Sequence, residues 1–271
     1  MLSTRFIRNV LAAVMVVAAA TATGGTAAAE PPPGDLELFY AGTILDSGLV
    51  ADSSGQGLHG TILTGGGGSV TPVAGPDGNT FLRFPGGSCT LAAQKPCPQA
   101  IVAQETTITL VPGDEGTSRF VYAADIRITE QPSPDAGMNV FQFGAAAAGL
   151  SQWKLQVDYG RPSCRWSDGT TVVLLPAGGA DFTLALGHWY RVSCWRVSPV
   201  LFQIRVDDPA TGRQVLPPTN AVGQLNGILP SGRVVIGGKR INATQTDVDT
   251  DQFHGDLDNI EFGRRELPSD A

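Results

Sequence analysis

Residues 119–129 read RFVYAADIRIT, and this stretch decides the fold class. Its hydrophobic side chains recur at every second position: Phe120, Tyr122, Ala124, Ile126 and Ile128. A period of two is that of a β-strand, whose successive side chains point to opposite faces. The stretch therefore predicts a half-buried strand, with one face in a core and the other toward solvent.

Short runs of similar character lie on both sides of this strand and are separated by turn residues. We predict strands at Leu36–Tyr40, Thr61–Leu63, Thr80–Phe84, Thr106–Val111, Asn139–Phe143, Trp153–Asp158, Cys164–Trp166, Thr171–Leu175, His188–Val197, Leu201–Asp207, Val234–Ile236 and Phe253–Phe262. Residues Ser198-Pro199-Val200 separate two of these runs and predict a hairpin between them. No segment beyond the N-terminal region has the pattern of a helix longer than two turns. The pattern therefore predicts an all-β fold of two packed antiparallel sheets, a jelly-roll sandwich.

The composition agrees with a turn-rich β protein and excludes several other classes. Gly and Pro, at 34 and 19 of the 271 residues, are far above their usual share. They show no Gly-X-Y period, which excludes collagen. Hydrophobic residues at 42% and charged residues at 16% exclude charge-driven disorder. The net charge of −7 argues against nucleic acid as a partner, and no P-loop sequence is present.

The first residues have the order of a secretory signal peptide. Arg5 and Arg8 precede the apolar run Val10–Ala20, and Ala27–Ala29 fits the small-residue cleavage pattern. The apolar run is shorter than the ~20 residues that span a bilayer, although an uncleaved anchor is the alternative. We therefore expect a secreted protein without a membrane span. Its predicted parts are a signal peptide at residues 1–29, a Pro-rich linker at 30–35 and a single domain at 36–271.

The four cysteines agree with export, since oxidising compartments favour disulfides. We favour the pairs Cys89–Cys97, which closes a short loop, and Cys164–Cys194, which would join neighbouring strands. Four cysteines allow three pairings, and spacing alone does not choose among them. A four-cysteine zinc site is the competing interpretation, but C-x-x-C pairs are absent.

Five segments carry a resemblance to a known family: DSSGQGLHGT at 52–61, FLRFPG at 81–86, GHWYRV at 187–192, VIGG at 235–238 and FHGDLDNIEF at 253–262. In this order they resemble segments of laminin-G-like domains, which belong to the concanavalin A-like lectin/glucanase superfamily. The similarity runs from about residue 37 to 267. It implies a jelly roll whose N-terminal and C-terminal strands are adjacent, with Asp52 near Asp256 and Asp258. The superfamily hosts enzymes, lectins and adhesion modules, so the fold leaves function open.

Asp256, Asp258 and Glu261 form D-x-D-x-x-E, which is similar to the E-x-D-x-x-E signature of glucanases with this fold. A retaining mechanism needs two carboxyl groups ~5–5.5 Å apart, and a β-bulge would be required to bring positions 256 and 261 to one face. These three residues are the catalytic candidates. The competing interpretation is a structural set of carboxylates or a calcium site. His59 and His254 are expected to make structural hydrogen bonds.

A calcium site is the metal hypothesis, with Asp52, Asp256 and Asp258 as ligands. Ca²⁺ takes 6–8 oxygen ligands, and the turn-rich loop around Asp52 offers both carboxylate and carbonyl oxygens. Related folds carry a structural calcium between the N-terminal loop and the last strand. The alternative is an Asx-turn in which Asp52 caps its own loop.

Two tryptophans are candidate ligand-binding residues, since sugar faces stack on exposed aromatic rings. Trp166 lies in a polar stretch and is expected to be exposed, and Trp153 is the second candidate, although packing in the core is the default for any tryptophan. We therefore expect a non-catalytic module that binds a glycan or an extracellular surface protein, with one structural Ca²⁺ as its cofactor. The alternative is an extracellular glycoside hydrolase or polysaccharide lyase.

Overall fold

The computed structural model describes residues 36–76, 78–87, 97–104, 110, 119–132, 137–242 and 251–264. Every regular element in these ranges is a β-strand, and none contains a helix long and apolar enough to cross a membrane. The predicted signal peptide, the linker, Cys89 and most of the predicted strand Thr106–Val111 lie outside the described residues. Sixteen strands form two antiparallel sheets, so the predicted all-β sandwich is confirmed.

Sheet A contains eight strands and includes both the first and the last strand of the described chain. Its members are β1 (Leu36–Tyr40), β4 (Thr71–Ala74), β5 (Thr80–Arg83), β7 (Phe120–Ile128), β12 (Tyr190–Arg196), β13 (Leu201–Asp207), β14 (Thr219–Val222) and β16 (Gly255–Gly263). They follow the order β14-β13-β12-β7-β16-β5-β4, and β1 also pairs with β16. The predicted adjacency of the N-terminal and C-terminal strands is therefore confirmed.

Sheet B contains the other eight strands, in the order β11-β10-β9-β8-β15-β6-β3-β2. Its members are β2 (Leu49–Val50), β3 (Gly60–Gly65), β6 (Gln99–Gln104), β8 (Met138–Gly144), β9 (Gln152–Asp158), β10 (Arg161–Ser167), β11 (Val172–Pro176) and β15 (Val234–Ile236). The short strands β2, β4, β6 and β14 were not among those that the sequence pattern predicts. The hairpin formed by β12 and β13 matches its prediction.

The two sheets pack through their alternating hydrophobic side chains. On β7, all five residues from the predicted apolar face contribute to the main core. The opposite face of β7 is also covered, because Val121 and Ala123 pack against Trp195 outside the core. The prediction of a half-buried strand is therefore wrong for the first half of β7, which neighbouring strands and Trp195 enclose.

A disulfide joins the sheets across this core. Cys164 on β10 and Cys194 on β12 are bonded, with their Cα atoms 5.7 Å apart. The predicted pairing is confirmed, but the bond connects opposite sheets rather than neighbouring strands. Both cysteines are fully buried. The second predicted bridge stays a prediction, because Cys89 lies outside the described residues.

The close approach of the sheets requires glycine at one position after β15. Gly237 has φ +80°, and a Cβ built there would lie 1.9 Å from a ring carbon of Phe84. Its carbonyl oxygen also accepts the backbone N–H of Phe253 at 2.9 Å. This glycine thus lets the chain leave sheet B directly over the aromatic pair that Phe84 forms with Phe253.

Candidate functional site

The three catalytic candidates lie on the outer face of sheet A, the side turned away from the core. A bulge in β16 interrupts its pairing with β7 between Asp258 and Glu261, so both carboxylates reach the same side. Asp256 reaches that side as well, because Leu257 between them points into the core. The bulge that the motif requires is therefore present.

Arginines neutralise two of these three carboxylates. Asp256, which is 0% exposed, accepts hydrogen bonds at 2.8 Å from Arg83 Nε and from Arg127 Nε. The Arg127 guanidinium is itself held 4.7 Å from the ring centres of Phe81 and Trp189. Because two cations enclose Asp256 and aromatic rings cover one of them, the arrangement is that of a structural ion pair.

Arg191 neutralises the carboxylate at the other end of the motif. Its guanidinium lies 2.8 Å from Glu261 and 3.2 Å from Asp125, and it also donates to the carbonyl of Asn259. Burial lowers the pKa of Arg191, but the carboxylates of Glu261 and Asp125 outweigh it and hold the pKa above its ordinary value. The positive charge between the Glu261 and Asp125 carboxylates is therefore supplied by the side chain of Arg191.

Asp258 is the carboxylate of the motif that forms no hydrogen bond or ion pair with an arginine in the described part of the chain. It is 5% exposed and accepts hydrogen bonds from the backbone N–H of Asn259 at 2.8 Å and from Asn79 at 3.3 Å. Burial raises the pKa of Asp258 to about 6, and the neighbouring Asp125 adds to the rise. Burial also raises the pKa of Asp125. The pair is a pH-sensitive element of the fold.

The predicted calcium ligands have other partners. Asp52 accepts hydrogen bonds from the backbone N–H groups of Phe39, Ser54 and Leu58 and from the Ser54 hydroxyl, at 2.8–3.0 Å. These contacts make it the cap of its own loop, which was the alternative interpretation. Within the described ranges, no group of three or more His, Cys, Asp or Glu residues has an arrangement that could hold a metal ion.

The structure does not bring the three predicted ligands together around one point. Asp52 bonds to β1 at Phe39, which pairs with Glu261 on the last strand. Asp256 instead pairs with β5 and β7, where its partners are arginines. Asp52 therefore lies beside the strand that pairs with the Glu261 end of β16.

The two tryptophans predicted to bind a ligand belong to the core. Trp153 and Trp166 are both 0% exposed, so the expectation that Trp166 is exposed is wrong. Tyr122 stacks on Trp153 at a centroid distance of 4.8 Å and meets the edge of Trp166 at 5.9 Å. The polar residues around Trp166 alternate with it along β10, so they face outward and the indole faces inward.

The histidines predicted to have structural roles make backbone contacts. His59 Nδ1 accepts the backbone N–H of Asp52 at 3.0 Å. His254 is buried, with its Nδ1 2.6 Å from the carbonyl oxygen of Pro85. Each contact fixes a loop next to a strand, in agreement with the prediction.

The outer face of sheet B carries a row of polar side chains, and two of them have a buried polar atom without a hydrogen-bond partner. One row crosses the sheet through paired residues: Leu174 on β11, Arg165 on β10, Lys154 on β9 and Gln142 on β8. The Arg165 Nε and the Gln142 Oε1 are buried without a hydrogen-bond partner. Leaving such atoms unpaired costs free energy, so a ligand group that formed a hydrogen bond with them would recover that cost.

A cavity of about 320 Å³ lies beside this row, at the end of the β9–β10 hairpin. Its lining combines polar and apolar groups: Asp158, Tyr159, Arg161, Ser163, Leu174, Pro176, Ala180 and Thr183. The volume is at the lower end of the ~300–1,000 Å³ typical of small-ligand sites. We refer to this feature below as the hairpin cavity.

Tyr159 occupies a conformation that is unfavourable for its side chain. Asp158 pairs with Arg161, so the hairpin has a two-residue turn, Tyr159-Gly160, with φ +52° and +78°. Such a turn favours Asn-Gly, and a bulky residue there is an outlier. Tyr159 is nevertheless 73% exposed at the mouth of the cavity. Backbone strain combined with an exposed aromatic ring indicates a role in binding.

Sequence reasoning missed this site. The signal was the alternation of polar residues, Lys154, Gln156 and Asp158 before the turn and Arg161, Ser163 and Arg165 after it. The predicted strands Trp153–Asp158 and Cys164–Trp166 left five residues between them, so the two-residue turn was not recognised. The sequence pattern pointed to Trp153 and Trp166 as the rings on which a sugar stacks, whereas the exposed aromatic residue beside the cavity is Tyr159.

Two eight-stranded antiparallel sheets, packed face to face, define the described part of the chain as a β-sandwich. No protein-family model and no curated protein matches the chain. Among solved structures, the binding domain of Paraclostridial Mosquitocidal Protein 1 is similar in fold, with a TM-score of 0.54 and 13% identity. That match covers 86% of this chain and 49% of that structure.

The binding domain of botulinum neurotoxin serotype D has a TM-score of 0.51 and 11% identity, covering 87% of this chain and 50% of its own. The serotype D/C VPI 5993 binding domain has a TM-score of 0.50 and 13% identity, covering 86% and 49%. This chain thus spans about half the length of these structures. At such identities, the likeness establishes the shared sandwich fold.

Proposed function

We propose that this chain is a secreted, non-catalytic module of the laminin-G-like, concanavalin A-like type that binds a glycan on the outer face of sheet B. The observation that carries the proposal is Tyr159, an exposed aromatic ring held in a strained turn at the mouth of the hairpin cavity. The N-terminal signal pattern supports export. The solved structures with a similar fold are binding domains, which supports a binding role.

The hairpin cavity has the chemistry of a sugar site. The Tyr159 ring supplies an apolar face on which a pyranose can stack. The Ser163 hydroxyl donates to Asp158 at 3.2 Å, which orients both side chains, and their oxygens supply acceptors for the hydroxyl groups of a sugar. Leu174, which is 52% exposed, extends the apolar surface toward β11.

The alternative, a glycoside hydrolase, requires one free carboxyl pair across a cleft. On sheet A, Asp256 and Glu261 are each held in an ion pair with arginine. Burial raises the pKa of Asp258 to about 6, toward the range of a general acid, but Asp258 has no free carboxyl partner within the motif. The geometry therefore supports binding better than hydrolysis.

The test is a glycan array with the purified protein and two variants. Tyr159→Asn replaces the strained residue with one that favours this turn, so we expect a higher melting temperature and at least tenfold weaker glycan binding. Val222→Ala, which trims an 83% exposed side chain on sheet A, is the control and should bind like the parent. A purely structural role for Tyr159 would leave binding intact in Tyr159→Asn.

Absence of binding to any glycan would contradict the proposal. Release of reducing sugar, or of an unsaturated product, from a bound polymer would favour the enzyme alternative. In that case Asp258→Asn and Glu261→Gln should abolish the release, since those carboxylates are the catalytic candidates.

A further inference from the structure

Arg165 lies in the centre of a polar row without a counter-ion. It is directly opposite Lys154 on β9 and Leu174 on β11. Its Nε is buried and lacks a hydrogen-bond partner, and no ion pair of its guanidinium is formed within the described part of the chain. A guanidinium has five N–H donors, so the Arg165 side chain can donate charge-assisted hydrogen bonds to an anion.

Most other arginine side chains that the described contacts include have a partner for the guanidinium. Carboxylates pair with Arg83, Arg127, Arg191 and Arg264. Arg161, four residues before Arg165 and on the same face, donates to the backbone carbonyls of Ala177 and Gly178. Arg196 and Arg205 also have a buried Nε without a hydrogen-bond partner, but Arg196 donates to the carbonyls of Pro199 and Leu225, and Arg205 lies 3.6 Å from Asp207. Arg165 therefore departs from the pattern in a chain that has a net charge of −7 and an excess of carboxylates.

The neighbour of Arg165 is a second cation, which one carboxylate contacts. Side chains at directly opposed positions are about 4.5–5.5 Å apart at Cβ, and like charges there are destabilising. Lys154 is the residue opposite Arg165. Its amine contacts Asp251 at 3.1 Å, which leaves two of its three donors for another group. Arg165 and Lys154 thus present two adjacent cations toward the same side of the sheet.

Gln142 extends the row on the other side of Lys154. It is 6% exposed, and its amide donates at 3.2 Å to the carbonyl of Gly144. Its Oε1 is buried without a partner. An unpaired acceptor beside two cations suits a ligand that carries both an acidic group and neighbouring hydroxyl or amide donors.

We propose that Arg165 and Lys154 form a subsite for the acidic group of a glycan, a carboxylate or a sulfate, whose adjoining sugar occupies the hairpin cavity. The proposal rests on the proposed function and names the class of its ligand. The row and the cavity are continuous, because Leu174 belongs to both. Charge complementarity selects an anion at one end, and the Tyr159 ring selects a sugar face at the other.

The same surface disfavours an acidic peptide. Asp158 lines the hairpin cavity, so a ligand with an acidic group at every residue would place one against this carboxylate. A glycan in which acidic and neutral sugars alternate meets the cations with its acid and the cavity with its neutral ring. In a hyaluronan hexasaccharide, acidic and neutral sugars alternate, and every acidic group is a carboxylate.

The test measures binding of four probes by calorimetry at low and at high salt. The probes are a hyaluronan hexasaccharide, a carboxyl-reduced chondroitin sulfate hexasaccharide that retains only sulfate, the neutral chitohexaose and polyglutamate. We expect Arg165→Gln to weaken binding of the acidic glycan about 10- to 100-fold. Arg165→Lys should retain part of the affinity, and binding should weaken with salt.

Arg213→Gln is the control, since Arg213 is an exposed arginine outside sheet B. It should bind like the parent, and Arg165→Gln should keep the parent's melting temperature because Arg165 has no partner to lose. Preference for hyaluronan supports a carboxylate ligand, and preference for the reduced probe supports a sulfate. Equal affinity for chitohexaose and the acidic glycans, or an unchanged affinity in Arg165→Gln, would overturn the subsite while leaving the proposed function standing. Binding of polyglutamate alone, or of no glycan, would overturn both.

Discussion

Asp258 should make this protein less stable at neutral pH than in mild acid. Burial raises its pKa to about 6, from an ordinary value of 3.8. Between these two values the folded chain holds a proton that the unfolded chain has lost. The free energy of unfolding therefore falls as the pH rises through this window, and the full cost is present above about pH 7.

The size of this cost follows from the pKa difference. One pKa unit corresponds to ~1.4 kcal/mol, so the charged Asp258 destabilises the fold by about 2–3 kcal/mol at neutral pH. Asp258→Asn removes the charge while its amide oxygen can still accept the Asn259 N–H, which lies at 2.8 Å in the parent. We expect the variant to be more stable near pH 7.5 by about that amount, or by about 5–10 °C in melting temperature.

Thermal unfolding of parent and variant between about pH 4 and pH 8 tests this sign and size. The difference should shrink below about pH 6, and in a further measurement near pH 3 it should vanish, because Asp258 is neutral in both states only below its unfolded pKa. Asp46→Asn is the matched control, because Asp46 is exposed. A variant that is no more stable than the parent near pH 7.5, or a difference that is constant with pH, would refute the reasoning.

Three further substitutions test the core and the loop cap. Replacing Cys164 and Cys194 together with Ala should cost about 3–4 kcal/mol in chemical denaturation, because the bond closes a loop with a sequence separation of 30 residues. Asp52→Ala should lower the free energy of unfolding by about 3 kcal/mol or more, since the Asp52 oxygens accept backbone N–H groups. The loss should be the same in calcium and in EDTA. A loss seen only in calcium would favour the metal hypothesis. Gly237→Ala should destabilise by about 2 kcal/mol or more, because its Cβ would overlap the Phe84 ring at positive φ; a melting temperature equal to the parent's would contradict this.

The sequence predicted the features that depend on local periodicity. The alternation in β7 identified its core face, and the strand β1 has the predicted bounds, Leu36–Tyr40. The Cys164–Cys194 pair was also identified, although its position between the sheets was not. That position depends on which strands face each other across the core, and periodicity along one strand carries no such information.

The site was harder to predict because exposure is decided by tertiary packing. Trp166 is surrounded by polar residues in sequence, yet alternation along β10 points it into the core. The strain at Tyr159 becomes visible only once β9 and β10 are known to pair with a two-residue turn. The missing partner of Arg165 depends on residues from other strands, none of which the sequence places beside it.

The two outer faces of the sandwich differ in how their charged groups are balanced, and this difference supports the proposed site on sheet B. On sheet A, Asp125, Asp256 and Glu261 all have arginine partners, so binding an ion or a sugar there would first require these pairs to break. Arg205 Nε and Gln203 Oε1 on sheet A also lack a hydrogen-bond partner, but Arg205 lies 3.6 Å from Asp207. On sheet B, Arg165 forms no ion pair in the described part of the chain, so an anion bound there would displace no carboxylate from it. Since truncating one member of a buried pair is costly and filling an empty site is not, recognition is favoured on sheet B. In the motif most similar to a catalytic signature, Asp256 and Glu261 are held in ion pairs with arginine, whereas the strained turn at Tyr159 belongs to the proposed binding face.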